Sequence, residues 1–222
     1  MNDSVIMAIW NALLISGLFA LFALIHSLTA GIRLKKALAT WLGARFVDGW
    51  YRLAYNVVSV LVILPALVLI VWLPDQTLYR ASMPWSLFML AVQAIGLVGI
   101  IVALLSTDLW RFAGLAQVFD FLAGKPAIST DAPLQINGVY RIVRHPLYLF
   151  SLMVLWPVPV MTFNLLVFNV AATLYFGIGS VLEERRLERV YGDSYRAYRR
   201  KVSWLFPWPR LRWPPSNRKG QQ

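Results

Sequence analysis

Long apolar runs are the feature of this chain that most restricts its fold. A helix needs about 20 apolar residues to cross the hydrocarbon core of a bilayer, and several runs approach or reach that length. Only 14% of the residues are charged, whereas a soluble domain has about 25%. Because backbone groups inside the bilayer must bond within their own segment, we predict an all-α integral membrane protein. It has about five spans: Ile6 to His26, Asn56 to Leu73, Trp85 to Thr107, Leu147 to Met161 and Leu165 to Leu182.

Prolines divide the last part of the apolar sequence. Pro157 and Pro159 separate the fourth run from the fifth, and proline breaks helices. The two runs therefore predict a tight hairpin of helices 4 and 5 over residues 147–182. We expect a three-helix transmembrane region at 1–107. A second region at 108–222 would hold the hairpin and a cytoplasmic interfacial tail at 183–222.

Lysine and arginine positions indicate the orientation. They are dense after the first, third and fifth spans, whereas the segment after the second span holds only Arg80. By the positive-inside rule the N-terminus is outside and the C-terminus is cytoplasmic. The formal charge of +11 fits contact with anionic membrane lipids better than nucleic-acid binding, and we expect no nucleic-acid partner.

Cysteine is absent and there are only two histidines, His26 and His145. These counts exclude disulfides and a cysteine nucleophile. They also disfavour a metal site built from several histidines, so we expect none.

A basic segment, "RIVRHPLYLF" at 141–150, precedes the fourth run. Proline is favoured at the first position of a helix, so Pro146 should begin helix 4 with His145 at its N-cap. The free N–H groups of a helix start attract anions, and Arg141 and Arg144 add positive charge. A helix start at the membrane edge flanked by snorkelling arginines is the simpler interpretation.

Two glutamates, Glu183 and Glu184, follow the fifth run directly. Acidic groups at the C-terminal end of a helix oppose its dipole, and ionisable groups at a membrane boundary usually have partners or functions. The predicted hairpin returns Glu183 to the level of His145. The cationic helix start and the carboxylate would then face each other across a pocket. A zwitterionic ligand suits this arrangement, with its cation against Glu183 and against aromatic faces such as Tyr140 or Tyr148.

Both segments resemble one enzyme family. "NGVYRIVRHPLY", an apolar hairpin and "EERRLERVYGDSYRAYRRKV" are similar, over about residues 134–207, to the isoprenylcysteine carboxyl methyltransferase family within the phospholipid methyltransferase superfamily. These integral-membrane enzymes use S-adenosylmethionine. The front segments "HSLTAGIRLKKAL", "YRLAYNVVS" and "DLWRFAGLAQV" resemble its bacterial NnrU and methanethiol S-methyltransferase branch.

The resemblance implies a cofactor site. This makes 108–222 the cofactor-binding region. The family's cofactor-binding positions are matched here by Leu134, Gln135, Tyr140, His145, Pro146, Leu147, Tyr148 and Glu183. The adjoining Arg144 and Glu184 are added to this set as candidates. Two departures stand out. Gly179 occupies the position where the eukaryotic enzymes have an arginine that contacts substrate, and Phe150 occupies a position that is often glycine.

The expected function is S-adenosylmethionine-dependent methylation of a small apolar or lipid-like acceptor, which could be a thiol, a carboxylate or an isoprenoid-type molecule. His145 and Glu183 are the candidates for a general base, although holding the cofactor is the favoured role for both. His26 could line the acceptor pocket. We expect the bacterial inner membrane, with the site facing the cytoplasm. An NADPH-dependent sterol-type reductase and a non-enzymatic NnrU-like accessory protein stay open as alternatives.

Overall fold

A computed structural model describes residues 2–125 and 134–207. Four of its helices are long and apolar enough to cross a membrane, and a fifth apolar helix, Pro146–Leu155, is shorter. The elements described are α1 (Asp3–Thr29), α2 (Ile32–Leu42), α3 (Ala44–Trp72), β1 (Thr77–Arg80), α4 (Trp85–Leu105), α5 (Leu109–Ala113), α6 (Leu115–Leu122), a 3-10 turn (Gly138–Arg141), α7 (Pro146–Leu155), β2 (Val160–Thr162), α8 (Phe163–Tyr191) and α9 (Asp193–Lys201).

The predicted spans fall on α1, α3, α4, α7 and α8, but three of these helices differ in extent from the apolar runs that predicted them. The second begins at Ala44, twelve residues before the predicted Asn56, because the polar start of α3 is also helical. The fourth ends at Leu155 rather than Met161, since prolines follow directly. The fifth continues past Leu182 to Tyr191. At 1.5 Å per residue α8 is about 43 Å long, so it extends beyond the hydrocarbon core.

The packing of α7 differs from the predicted tight hairpin. α7 packs most extensively on α4 and makes little backbone contact with α8. Small residues on α4 allow the close approach: a side chain at Gly96 or Gly99 would collide with Phe150. The large Phe150 and the missing side chain at Gly99 are therefore complementary. α7 and α8 meet mainly through long side chains, which leaves space between their backbones.

A small sheet, which the all-α prediction missed, lies at the end of the bundle where α7 ends and α8 begins. β1 and β2 pair antiparallel, with Tyr79 opposite Met161. Beside them, Asp75 accepts hydrogen bonds from the backbone N–H groups of Gln76 and Asn164 at 2.8 and 3.0 Å. Short-range hydropathy could not indicate this pairing because its partners are about 80 residues apart in sequence and only three or four residues long.

The best-packed core joins α1 to α8. Ile15 and Phe19 are buried against Phe168 and Ala172, and Phe19 meets Phe168 edge-to-face with ring centroids 5.4 Å apart. Many other large apolar side chains on the long helices are exposed, as expected where lipid is the solvent. The predicted interfacial tail is helical to Lys201, and its end at 208–222 lies outside the described residues.

Candidate functional site

The two polar segments singled out in the sequence come together at one end of the bundle. Val143 forms a parallel bridge with Ser203, and the N–H of Arg144 donates to the Ser203 carbonyl at 2.8 Å. The Tyr198 hydroxyl donates to the Tyr140 carbonyl at 2.6 Å. These bonds hold the residues that precede α7 against α9 and the strand-like segment after it.

Glu184 is enclosed in this junction. Its Oε1 accepts from Nε of Arg144 at 2.7 Å, and the two side chains are 15% and 8% exposed. Arg144 also donates to the carbonyls of Arg199 and Val202 at 3.0 and 2.7 Å. The pair therefore ties three segments of the chain together and has few donors left for a ligand.

His145 lies between the two glutamates. Its ring is 4% exposed, with Nε2 3.2 Å from the Glu184 carboxylate and Nδ1 3.5 Å from that of Glu183. Because both ring nitrogens face carboxylates of α8, they are poorly placed to take a proton from a substrate. The geometry favours His145 as the residue that positions both carboxylates.

Glu183 presents an open face. Its side chain is 48% exposed, and its Oε2 accepts from the Tyr148 hydroxyl at 3.2 Å. The Tyr148 ring stacks between His145 and Phe176, with centroids 5.4 and 5.1 Å away. A Cβ at Gly179 would lie 3.6 Å from the Tyr148 hydroxyl. Phe176, Gly179 and Glu183 thus share one face of α8, as the helical spacing predicted.

The start of α7 completes this face. His145 is the N-cap and Pro146 the first helical residue, which confirms the sequence prediction. Both are buried. The N–H groups of a first helical turn have no intrahelical acceptors, so the turn at Leu147 and Tyr148 carries partial positive charge beside the Glu183 carboxylate.

Three tyrosines of the junction are buried or half-buried: Tyr140, Tyr195 and Tyr198. Burial raises the pKa of Tyr140, and the negative charge of Glu183 raises it further. Burial, followed by the charge of Glu184, raises the pKa of the fully buried Tyr195. Burial raises the pKa of Tyr198 to about 12, against an opposing effect of Arg144. These hydroxyls therefore stay protonated near neutral pH and can donate hydrogen bonds.

The remaining sequence candidates lie in other parts of the fold. Gln135, which follows Leu134, donates to the Ser106 carbonyl at the end of α4. His26 lies near the end of α1, where Nδ1 is 2.9 Å from the Ser59 hydroxyl and Nε2 is 2.6 Å from the Tyr55 hydroxyl. Neither is in direct contact with Glu183 among the described contacts.

A continuous row of aromatic rings nevertheless connects His26 to the glutamates. Tyr175 lies 6.4 Å from Phe176 and 6.1 Å from His26, measured between ring centroids, and His26 lies 4.9 Å from Tyr55. We call this the aromatic row: His145, Tyr148, Phe176, Tyr175, His26 and Tyr55. It spans α7, α8, α1 and α3, so no single motif could reveal it.

Several residues of the junction had no role assigned from sequence. Tyr195 and Tyr198 are three residues apart in α9, which follows Gly192. Gly192 has a backbone φ of +53°, and the chain turns there between α8 and α9. Their spacing was visible, but their partners on α8 and at Tyr140 were not. Trp204 donates to Ser180 at 3.2 Å and had no signal beyond its aromatic character.

Comparison with known proteins places the chain in a family. The phospholipid methyltransferase family model matches residues 87–194, which include most of α4 and all of α7 and α8. Methanethiol S-methyltransferase 1 of Bradyrhizobium diazoefficiens is 34% identical over 195 residues, covering 87% of this chain and 66% of that protein. The methanethiol S-methyltransferase of Mycobacterium tuberculosis is 32% identical over 197 residues, covering 86% and 76%.

The chain belongs to the methanethiol S-methyltransferase family. The predicted family and enzyme class, a methyltransferase, are confirmed. Nurim of Xenopus laevis is a more distant relative, 29% identical over 170 residues, which are 73% of this chain and 57% of that protein. No solved structure matches significantly.

Methyltransferases of this family imply S-adenosylmethionine, and the open face has suitable chemistry for it. The half-exposed Glu183 carboxylate can accept hydrogen bonds from hydroxyls or an ammonium group. The first turn of α7 can donate to a carboxylate, and the Tyr148 ring offers a π-face to a sulfonium. Glu184 and Arg144, by contrast, are already paired with each other.

Proposed function

We propose that this protein is an S-adenosylmethionine-dependent membrane methyltransferase whose acceptor is a small apolar thiol. The observation that carries the proposal is the open face at Glu183. There a half-exposed carboxylate, a stacked tyrosine and a helix start adjoin, within a chain whose relatives are S-methyltransferases by name.

The chain's own residues would hold the cofactor in a fixed orientation. Glu183 would bind its cationic or hydroxyl groups, and the α7 start its carboxylate. Tyr148 would pack against it, His145 would hold Glu183 and Glu184 in place, and the half-buried Tyr140 would contribute a hydroxyl. Bound S-adenosylmethionine supplies an electrophilic methyl group on a sulfonium, so the protein's main tasks are alignment and exclusion of water.

A small apolar acceptor fits the α8 surface. Gly179, at the position of the arginine expected in the eukaryotic enzymes, presents no charge to a carboxylate, and the Tyr148 hydroxyl lies over it. The neighbouring face is aromatic. An acceptor that partitions into lipid could enter between α7 and α8, whose backbones make little contact. A lipid-like or isoprenoid thiol is the larger version of the same acceptor.

The proposed placement has the N-terminus outside and the site at the cytoplasmic face of a bacterial inner membrane. The basic residues beside the junction support this, since Arg185 and Arg186 follow the glutamates directly and Arg189 lies one turn further on, and positive charge favours the cytoplasmic side. Residues 1–107 would then form the membrane anchor and 108–222 the cofactor-binding part.

Calorimetric titration of the detergent-purified protein with S-adenosylhomocysteine tests the cofactor site. We expect micromolar binding that Glu183→Ala and His145→Ala abolish. A matched control is Glu188→Ala, because Glu188 pairs with Arg196 and Arg199 on an exposed surface. Incubation with S-adenosylmethionine and a short alkanethiol should then yield the methyl thioether. Absence of binding in folded wild-type protein would overturn the proposal.

Two other outcomes are informative. Binding of NADPH without S-adenosylhomocysteine would favour the sterol-type reductase. Binding of neither would favour the accessory role.

A further inference from the structure

The polar cluster at the His26 end of the aromatic row has a defined hydrogen-bond direction. The Ser59 hydroxyl donates to the Tyr55 carbonyl at 2.7 Å. Its oxygen is therefore free to accept from Nδ1 of His26, 2.9 Å away. In the neutral ring, the proton then resides on Nδ1, and Nε2 must accept from the Tyr55 hydroxyl at 2.6 Å.

This arrangement leaves the Tyr55 oxygen with acceptor capacity only. Tyr55 gives its single proton to His26, and a hydroxyl oxygen has two lone pairs. Its side chain is half-buried among His26, Tyr175 and the helices that carry them. A protic group that approaches Tyr55 from within the bundle would thus meet an oxygen that is already linked to a proton acceptor.

Tyr148 brings this cluster into relation with the proposed cofactor site. Its hydroxyl donates to Glu183 at 3.2 Å and also lies within electrostatic range of the Tyr55 and Tyr175 hydroxyls. Tyr148 is thus bonded to Glu183 and within electrostatic range of Tyr55, and the ring contacts of the aromatic row join the same two residues. An acceptor between Tyr55 and Tyr148 would lie near both the methyl donor and the His26 relay.

We propose that Tyr55 is a catalytic residue that removes the proton from a neutral thiol acceptor, and that His26 acts through it. The thiol S–H proton passes to the Tyr55 oxygen while the Tyr55 proton passes to Nε2 of His26. The thiol sulfur forms a bond to the methyl carbon, the bond from that carbon to the sulfonium sulfur breaks, and its electron pair stays on that sulfur. His26, now an imidazolium, returns the proton to water. This inference rests on the proposed function.

The charges around the relay suit it. Arg52 on α3 and Arg186 on α8 lie within electrostatic range of the Tyr55 hydroxyl, and both would stabilise negative charge as it develops. The other titratable groups that face the relay are Tyr51 on α3, Tyr175 on α8 and Tyr148 on α7. No carboxylate is among these described neighbours, and Nε2 of His26 is the acceptor that is hydrogen-bonded to Tyr55.

Nitrogen NMR of histidine-labelled protein tests the relay without turnover. The chain has two histidines, so a His145→Gln variant assigns both rings. We expect His26 as the Nδ1–H tautomer with Nε2 as a hydrogen-bond acceptor, and a shift of the Nε2 signal in Tyr55→Phe. A proton on Nε2 of the neutral ring would overturn the proposal.

Reaction with thiols of different acidity tests the role of Tyr55. General-base catalysis typically contributes about 10²–10⁴-fold, so Tyr55→Phe should lose at least about 100-fold in single-turnover rate with an ordinary alkanethiol. With the more ionised trifluoroethanethiol the loss should be much smaller, because less deprotonation is needed. Equal losses with both thiols would overturn the proposal.

His26→Gln gives the pH readout. We expect the wild-type rate with an alkanethiol to level off once His26 is neutral, whereas the variant rate should keep rising about tenfold per pH unit as thiolate accumulates. An unchanged profile would contradict the relay.

Tyr51→Phe is the matched control. Tyr51 lies one turn from Tyr55 and donates to the Thr29 carbonyl at 2.6 Å, so its loss should leave the rate and pH profile unchanged. S-adenosylhomocysteine binding separates the two proposals. If Tyr55→Phe binds as the wild type does, a rate loss concerns proton removal alone. If the wild type does not bind, the proposed function itself fails.

Discussion

Glu183 and Glu184 are neighbours in sequence, yet the fold places them in opposite environments. Glu184 is 15% exposed and paired at 2.7 Å with a buried arginine. Glu183 is 48% exposed and accepts one hydrogen bond, from Tyr148. A helix turns about 100° per residue, so adjacent side chains point to different neighbours: Glu184 toward the α9 junction, Glu183 toward α7.

The difference assigns different roles to identical carboxylates. A buried ion pair whose arginine also donates through Nη1 to two backbone carbonyls, as Arg144 does, holds structure together. A half-exposed carboxylate beside a helix start can accept a ligand. His145 contacts both carboxylates, so the fixed position of Glu184 also restrains that of Glu183.

Removing the charge of the enclosed Glu184 carboxylate should have the largest effect, which is on the stability of the protein. Glu184→Gln leaves Arg144 buried without a counter-charge, and breaking one partner of a buried pair costs about 3–5 kcal/mol. We expect a marked fall in thermal stability in detergent. Glu188→Gln is the control, because its ion pairs are exposed and contribute about 0–1 kcal/mol. Equal losses in the two variants would mean that Glu184 is not a structural anchor.

Removing the charge of the half-exposed Glu183 carboxylate should weaken S-adenosylhomocysteine binding without affecting folding. Glu183→Gln should change the free energy of unfolding by no more than about 0.5 kcal/mol. A hydrogen bond to a charged group contributes about 1.5–3 kcal/mol, which corresponds to about a 10- to 100-fold loss of S-adenosylhomocysteine affinity. Calorimetry and thermal unfolding of the same preparation would separate the two effects. A stability loss like that of Glu184→Gln would remove the contrast between them.

A smaller effect should come from the tyrosine that closes the junction. Tyr198→Phe removes the donor to the Tyr140 carbonyl and should cost about 1 kcal/mol of stability. The folded-state pKa of Tyr198 is raised to about 12, above the unfolded value of about 10. Its contribution is therefore fully present below pH 10 and is lost as the pH rises through 12. The free energy of unfolding should therefore decrease less steeply as the pH rises from 10 to 12 in Tyr198→Phe than in the wild type. Identical slopes would contradict this prediction.

The smallest effect should arise on the open side. Tyr148→Phe keeps the ring between His145 and Phe176 but removes the hydroxyl that donates to Glu183. Because Glu183 is half-exposed, water can replace the lost donor, and we expect only about a two- to fivefold loss of affinity, or about 0.5–1 kcal/mol. A loss as large as that of Glu183→Gln would mean that Tyr148 contacts the cofactor through its hydroxyl.

Much of the architecture followed from local sequence patterns. Apolar runs indicated the four helices that are long enough to cross a membrane, because membrane insertion depends on about 20 residues at a time, and they also located the shorter α7. Proline fixed the start of α7, since its ring favours the first helical position. Helical spacing placed Phe176, Gly179 and Glu183 on one face, and that face now carries the Tyr148 contact.

The sequence by itself determined the membrane class, the family motif and the set of polar residues, because each depends on composition or on spacing within one helix. Tertiary structure alone decided which glutamate is enclosed, because Arg144 and Glu184 are 40 positions apart and meet only when the chain folds back. It also decided that α7 packs on Gly96 and Gly99 of α4, and that Tyr55 and His26 meet across two helices. Such contacts depend on the relative placement of helices, which no local pattern specifies.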